Sequence, residues 1–113
     1  EIFIPKIPSY RITDVAQAIG PNCTHKVIGI RPGEKIHEEM ITSSDSFFTY
    51  DIGEYFVIIP QTPIWDIQNF MSEFNAKLVP SGFAYNSGTN SEWETVETLR
   101  SLIKEHVDSD FEI

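Results

Sequence analysis

The sequence predicts a small α+β domain made of short helices, a few strands and one hairpin. Three observations lead there. Two aromatic and β-branched runs, 47–51 and 55–59, flank a three-residue loop, 52–54, that contains Gly53, and they read as a hairpin. Apolar residues recur at helical spacing in 63–75 and again after residue 95. The 113 residues suffice for one modest domain with a core, and no apolar run approaches the roughly 20 residues a membrane-spanning helix needs.

Taken in order, residues 2–4 read as a strand. Pro5 and Pro8 end it and favour an extended, edge-like path. Thr13 is a good N-cap for a helix over 14–19, with Asp14 in its first turn. Val15, Ala16 and Ile19 share one face of that helix, and Gly20-Pro21 ends it. Residues 25–30 read as a strand whose apolar part, 27–30, is buried. Pro32-Gly33 then forces a turn, because proline fixes φ and glycine tolerates an unusual one. Glu34 opens a predicted helix over 34–41, with Ile36, Met40 and Ile41 toward the core. Residues 42–46 are polar and turn-like. The hairpin follows, and Pro60 closes it.

Thr62-Pro63 starts a predicted helix over 63–75 on the stripe Ile64, Ile67, Phe70, Met71 and Phe74. Trp65 beside it is a candidate exposed anchor. Residues 79–90 hold proline, two glycines and several polar residues, so they read as a loop. Ser91 and Glu94 fit a capping box. Val96, Leu99, Leu102, Ile103 and His106 make the final helix amphipathic, and 108–113 form an acidic tail.

A net charge of −9 argues against general nucleic-acid binding. The charge is uneven. Residues 1–35 carry five basic and three acidic side chains, whereas the remainder carries three basic and fourteen acidic ones. An anionic ligand is drawn to the first third. The single Cys23 forms no internal disulfide and is compatible with a reducing cytoplasm. The chain opens on Glu1, which points to a fragment or a processed product.

Several chemistries lack their residues. There is no glycine-rich dinucleotide loop and no Tyr-x-x-x-Lys pair: the fourth positions after the four tyrosines are Asp14, Glu54, Ile59 and Thr89. His25, His37 and His106 lack metal-ligand spacing with one another or with Cys23. No cofactor or metal is therefore expected on this chain alone, and no catalytic residue is assigned. His37 is better read as a hydrogen-bonded structural histidine than as a base.

What remains is Arg31-Pro32-Gly33-Glu34. The turn holds a guanidinium and a carboxylate three residues apart. An arginine fork matches a phosphate, and a carboxylate accepts hydroxyl protons. A nucleotide diphosphate followed by a ribose has that order of groups. The plainer reading is a surface ion pair in a turn.

The run 30–41, IRPGEKIHEEMI, resembles the C-terminal signature of the C5-inverting UDP-N-acetylglucosamine 4,6-dehydratases. These are extended short-chain dehydrogenase/reductases of bacterial nucleotide-sugar and surface-glycan biosynthesis, pseudaminic acid included. The runs EIFIPKIPS (1–9) and ITDVA (12–16), and FAYNS (83–87) with Asn90 and Trp93, resemble the same family in the same order. Glu94 departs from it, and 60–82 match it poorly.

The resemblance implies a C-terminal, substrate-binding subdomain lacking the Rossmann domain, its partner within the same protein. It implies that Arg31 contacts the diphosphate and Glu34 the ribose of a UDP-sugar, with Lys6 a further phosphate or uridine contact. It also implies NADP in the intact cytoplasmic enzyme. There the cofactor takes a hydride from C4, water leaves across C5 and C6, and the hydride returns to C6. The chain alone is expected to be inactive, with no membrane partner and self-association as a further expectation. The alternative is a small acidic, non-enzymatic module for protein interaction or dimerisation, using the hairpin aromatics and the 64–74 stripe.

Overall fold

Backbone pairing between distant segments builds the sheets of this structure, a computed structural model describing residues 1–113. The contacts resolve into two units. The first comprises Glu1–Ile7 and Glu38–Thr89, the second Pro8–His37 and Asn90–Ile113.

In the first unit, β1 (Ile2–Pro5), β3 (Thr49–Asp51), β4 (Tyr55–Ile58) and β5 (Lys77–Leu78) form an antiparallel sheet in the order β1-β4-β3-β5. The expected hairpin is its centre. Ile52 N–H donates to the Tyr55 carbonyl at 3.0 Å, and Gly53 takes the positive φ of 105° that the tight loop requires. Phe56 and Val57 are neighbours in β4 and point to opposite faces, yet both are buried. Phe56 joins Ile4, Ile41 and Val79 in the core, with Ile58, Phe83 and Tyr85 packed against it.

The predicted helix over 34–41 does not form. β2 (Glu39–Ile41) pairs instead with β6 (Tyr85–Asn86), inside the stretch expected to be a loop. Pairing delivers Ile41 to the core at 0% exposure, while Ile36 stays 74% exposed. The predicted helix was to turn both toward the core, but only Ile41 finds one, and a β-branched residue suits the pleat. After β2, Thr42 and Asp45 close a reciprocal capping box on a short 3₁₀ turn, Ser43–Phe48. That turn shortens the first hairpin strand to Thr49. Buried Ser46 donates to the Ser43 carbonyl at 2.6 Å and accepts from Gly82 N–H at 3.0 Å.

Helix α2 (Ile67–Phe74) starts four residues later than expected. Asp66 rather than Thr62 caps it, accepting from Gln68 and Asn69 N–H, and Asn75 in the left-handed region ends it. Trp65 is half-buried rather than a free anchor. It stacks on Phe70 at 5.1 Å between centroids, and Phe70 stacks on Phe74 at 4.8 Å.

In the second unit, α1 (Ile12–Ile19) packs against α3 (Val96–His106). Helix α1 begins ahead of Thr13, with Arg11 in the N-cap position and no side-chain cap. Its buried residue is Ala18, and Ile19 is exposed. Arg100 from α3 donates to the Ala18 and Gln17 carbonyls at 3.2 Å, which satisfies the open end of α1. Thr95 and Thr98, not Ser91 and Glu94, form the capping box of α3. The earlier residues are used otherwise: Ser9 N–H donates to the Glu92 carbonyl at 2.8 Å, and Glu94 N–H donates back to the Ser9 carbonyl at 2.7 Å.

The expected strand over 25–30 is absent. Val27, Ile28 and Ile30 are 84%, 77% and 61% exposed, because no strand edge lies beside them in this unit to accept their backbone.

One ion pair fastens the end of β1 to the hairpin. Lys6 Nζ donates to both Asp51 oxygens at 2.8 and 2.9 Å and lies 4.7 Å over the Phe56 ring. Asp51 also accepts from Gly53 N–H at 2.9 Å. Burial raises the Asp51 pKa, but the Lys6 and Gly53 hydrogen bonds and the Lys6 and Lys77 charges outweigh it, so the group lies below its ordinary value of 3.8.

Two outcomes follow for stability. Ile41→Ala should cost about 2–5 kcal/mol in urea unfolding, and Ile36→Ala no more than about 0.5 kcal/mol. Similar costs at both sites would restore the helix over 34–41. Because the folded-state pKa of Asp51 is depressed, its contribution is present above the unfolded value and lost as pH falls through the folded one. The stability gap between wild type and Asp51→Asn should therefore narrow in unfolding curves taken progressively below about pH 4, and a gap independent of pH would contradict the assignment.

Candidate functional site

The turn at Arg31-Pro32-Gly33-Glu34 forms as its residues dictate. Proline fixes φ at the second position. Gly33 at the third has φ +86°, which an L side chain rarely adopts. Glu34 N–H closes the turn on the Arg31 carbonyl at 3.1 Å. This is the arrangement of a type II turn. No helix follows, so Glu34 does not sit at a helix end. Its carboxylate folds back onto Arg31 instead: Oε1 accepts from Arg31 Nε at 2.7 Å, and Oε2 accepts from Arg31 N–H at 3.0 Å.

The rest of the guanidinium is open. The Arg31 side chain is 77% exposed and that of Glu34 43%. Neither Nη of Arg31 has a protein partner. Around the turn, residues 24–37 carry Lys26, Arg31 and Lys35 against Glu34 alone, so the local field is positive within an acidic chain. The arrangement offers a fixed planar cation to an anion. His37 is exposed rather than held as a structural histidine, and His25 pairs with the Gly20 carbonyl at 2.8 Å. Cys23 is exposed and free.

Of the three substrate-binding candidates, Arg31, Glu34 and Lys6, the fold thus brings the first two together. Lys6 lies in the other unit, its charge already turned to Asp51. Two supporting groups carry little signal in the sequence. The Tyr85 hydroxyl donates to the Ile7 carbonyl at 2.9 Å and accepts from Ile7 N–H at 2.8 Å, which clamps the path after Lys6. Asp51 is the other. A hairpin Asp two residues before Gly53 is its only advance signal.

Neither a dinucleotide nor a metal fits the residues present. The glycines with positive φ, Gly29, Gly33, Gly53 and Gly82, stand singly, and none opens a helix, whereas the dinucleotide-binding fingerprint puts a glycine-rich run at a helix N-terminus. No group of three or more His, Cys, Asp or Glu is gathered for a metal. No helix is long and apolar enough to cross a membrane.

Comparison with known proteins places the turn in context. A family model described as "Polysaccharide biosynthesis protein" matches residues 1–60. A UDP-N-acetylglucosamine 4,6-dehydratase (inverting) from Campylobacter jejuni subsp. jejuni serotype O:2 is 47% identical over 108 residues, covering 91% of this chain. The protein of the same name from serotype O:23/36 is 45% identical over the same length. The chain spans 32% of the length of each. The X-ray structure of Pen from Bacillus thuringiensis superposes with a TM-score of 0.68 at 28% identity, over 91% of this chain and 30% of that one. The matched region includes the strand, the turn and the hairpin described above. The family model reaches across more than half of the chain and its relatives agree with it, so this chain belongs to the polysaccharide biosynthesis protein family and is similar to inverting UDP-N-acetylglucosamine 4,6-dehydratases.

Proposed function

We propose that this chain is the UDP-sugar-binding, C-terminal part of a C5-inverting UDP-N-acetylglucosamine 4,6-dehydratase, and that it grips the nucleotide through the Arg31–Glu34 turn. The observation that carries the reading is the open Nη end of Arg31, held in place by Glu34 on a turn whose own residues fix its shape. The identity to the Campylobacter dehydratases supports a UDP-sugar as the substrate class.

The division of labour is physical. A guanidinium end offers two parallel N–H donors to a phosphate, and such charge-assisted pairs are among the stronger hydrogen bonds. Binding energy gathered at the nucleotide orients the sugar at the reacting centre elsewhere in the protein. Glu34 keeps a free lone pair on each oxygen for ribose hydroxyls. Lys6, balanced by Asp51, serves as a hydrogen-bond donor rather than a free charge.

NADP and the hydride and proton chemistry belong to the part of the relatives' length that this chain does not span. Alone, the chain turns nothing over. A Rossmann domain covering the exposed Val27, Ile28 and Ile30 gives that surface a partner, and the intact enzyme works in the cytoplasm.

In the full-length protein, Arg31→Ala should raise KM for UDP-N-acetylglucosamine by about 10- to 150-fold, the equivalent of ~1.5–3 kcal/mol, with kcat changed far less. Steady-state dehydration assays read this directly. A normal KM in a normally folded variant would remove Arg31 from the site.

A further inference from the structure

We infer that Glu34 is a positioning residue that aims Arg31, so that the guanidinium meets its ligand end-on, through Nη1 and Nη2. The inference rests on reading the turn as the nucleotide site and says how that site recognises its phosphate.

A guanidinium can present two-donor forks in two ways. One is the side fork, Nε–H with one Nη–H. The other is the end fork, Nη1–H with Nη2–H. Here Nε is taken by Glu34 Oε1 at 2.7 Å, which spoils the side fork. The end fork keeps both donors, since neither Nη has a partner. The second carboxylate oxygen fixes the carboxylate itself, by accepting Arg31 N–H at 3.0 Å. The long arginine side chain is thereby tied at both ends of its own residue: the backbone N–H and the guanidinium share one carboxylate.

The turn makes this possible. The Glu34 N–H to Arg31 carbonyl bond at 3.1 Å and the φ of +86° at Gly33 bring residue 34 back beside residue 31. No other side chain of the unit makes a hydrogen bond to the guanidinium. Without Glu34 the arginine swings freely, and ordering it falls on ligand binding. An exposed pair of this kind does little for stability. Its consequence lies in how ready the guanidinium is for its ligand. The second face of the same carboxylate remains free for ribose, so positioning and ribose contact are separable by experiment.

The test is a double-mutant cycle on UDP binding by the full-length protein, read by calorimetry, with 2′,3′-dideoxy-UDP as a second probe. Arg31→Ala should weaken UDP at least tenfold. With Arg31 present, Glu34→Ala should weaken UDP on the order of tenfold, and the penalty should persist for the dideoxy nucleotide, which has no ribose hydroxyls to lose. With Arg31 already alanine, Glu34→Ala should weaken the dideoxy nucleotide by less than about twofold. Melting temperatures should be unchanged, because both side chains are exposed. Independent, multiplying penalties that vanish with the dideoxy probe would overturn the inference and leave Glu34 as a ribose contact only. No effect of Glu34→Ala on UDP, with Arg31→Ala still harmful, would overturn it too. No effect of Arg31→Ala would instead sink the nucleotide reading itself.

Discussion

Phe56 is where the interactions of the first unit converge. It sits in β4, the strand paired on both sides, by β1 and by β3. Its ring meets Phe83 at 5.1 Å and Tyr85 at 5.2 Å, both tilted, in the geometry aromatic quadrupoles favour. The Lys6 ammonium lies above the same ring. The contacts are coupled through the chain. Tyr85 belongs to β6, which pairs with β2 and so brings Ile41 into the core, and its hydroxyl holds Ile7 just beyond β1. One aromatic side chain thus ties together residues from positions 4 to 85, in a unit too small to spread that task over many layers.

The second unit has less apolar material and leans on polar closure. Ala18 and Leu99 are its buried apolar residues. Around them, Ser9 exchanges two backbone bonds with Glu92 and Glu94, and Asn90 donates to the Ser9 hydroxyl at 3.1 Å. Trp93 turns its ring nitrogen to the Asn90 carbonyl at 2.7 Å and its face to Arg11. These bonds satisfy backbone that a larger core would have enclosed in regular elements.

The sequence revealed those features whose cause is local. The hairpin, the Pro-Gly turn, the end of α1 at Gly20 and the amphipathic α3 each depend on residues within a few positions. Features decided by a remote partner were misread. Residues 34–41 have a plausible helical stripe, but Tyr85-Asn86, more than forty positions away, takes residues 39–41 as a strand. Ser91 and Glu94 match a capping box, but Ser9 claims the backbone there. The 25–30 run has the composition of a strand and no edge to join. The candidate site was legible for the same reason as the hairpin: Arg31 and Glu34 lie within one turn. Asp51 as the partner of Lys6, 45 positions away, was not.

The missing strand bears on how the turn is ordered. An arginine delivered by a paired strand has its backbone fixed by the sheet. Arg31 follows an exposed, unpaired run, so nothing upstream orients it within this unit. Its order must come from the turn itself: proline for one dihedral, glycine for the next, and a carboxylate returning to hold both the amide and the guanidinium. A turn of this sort carries its preorganisation in four consecutive residues. Substituting Gly33 would then act on Arg31 without touching any neighbour, since the space around its Cα is empty and only its backbone conformation is special. The chemistry of the turn and its shape are one constraint, and they stand or fall together.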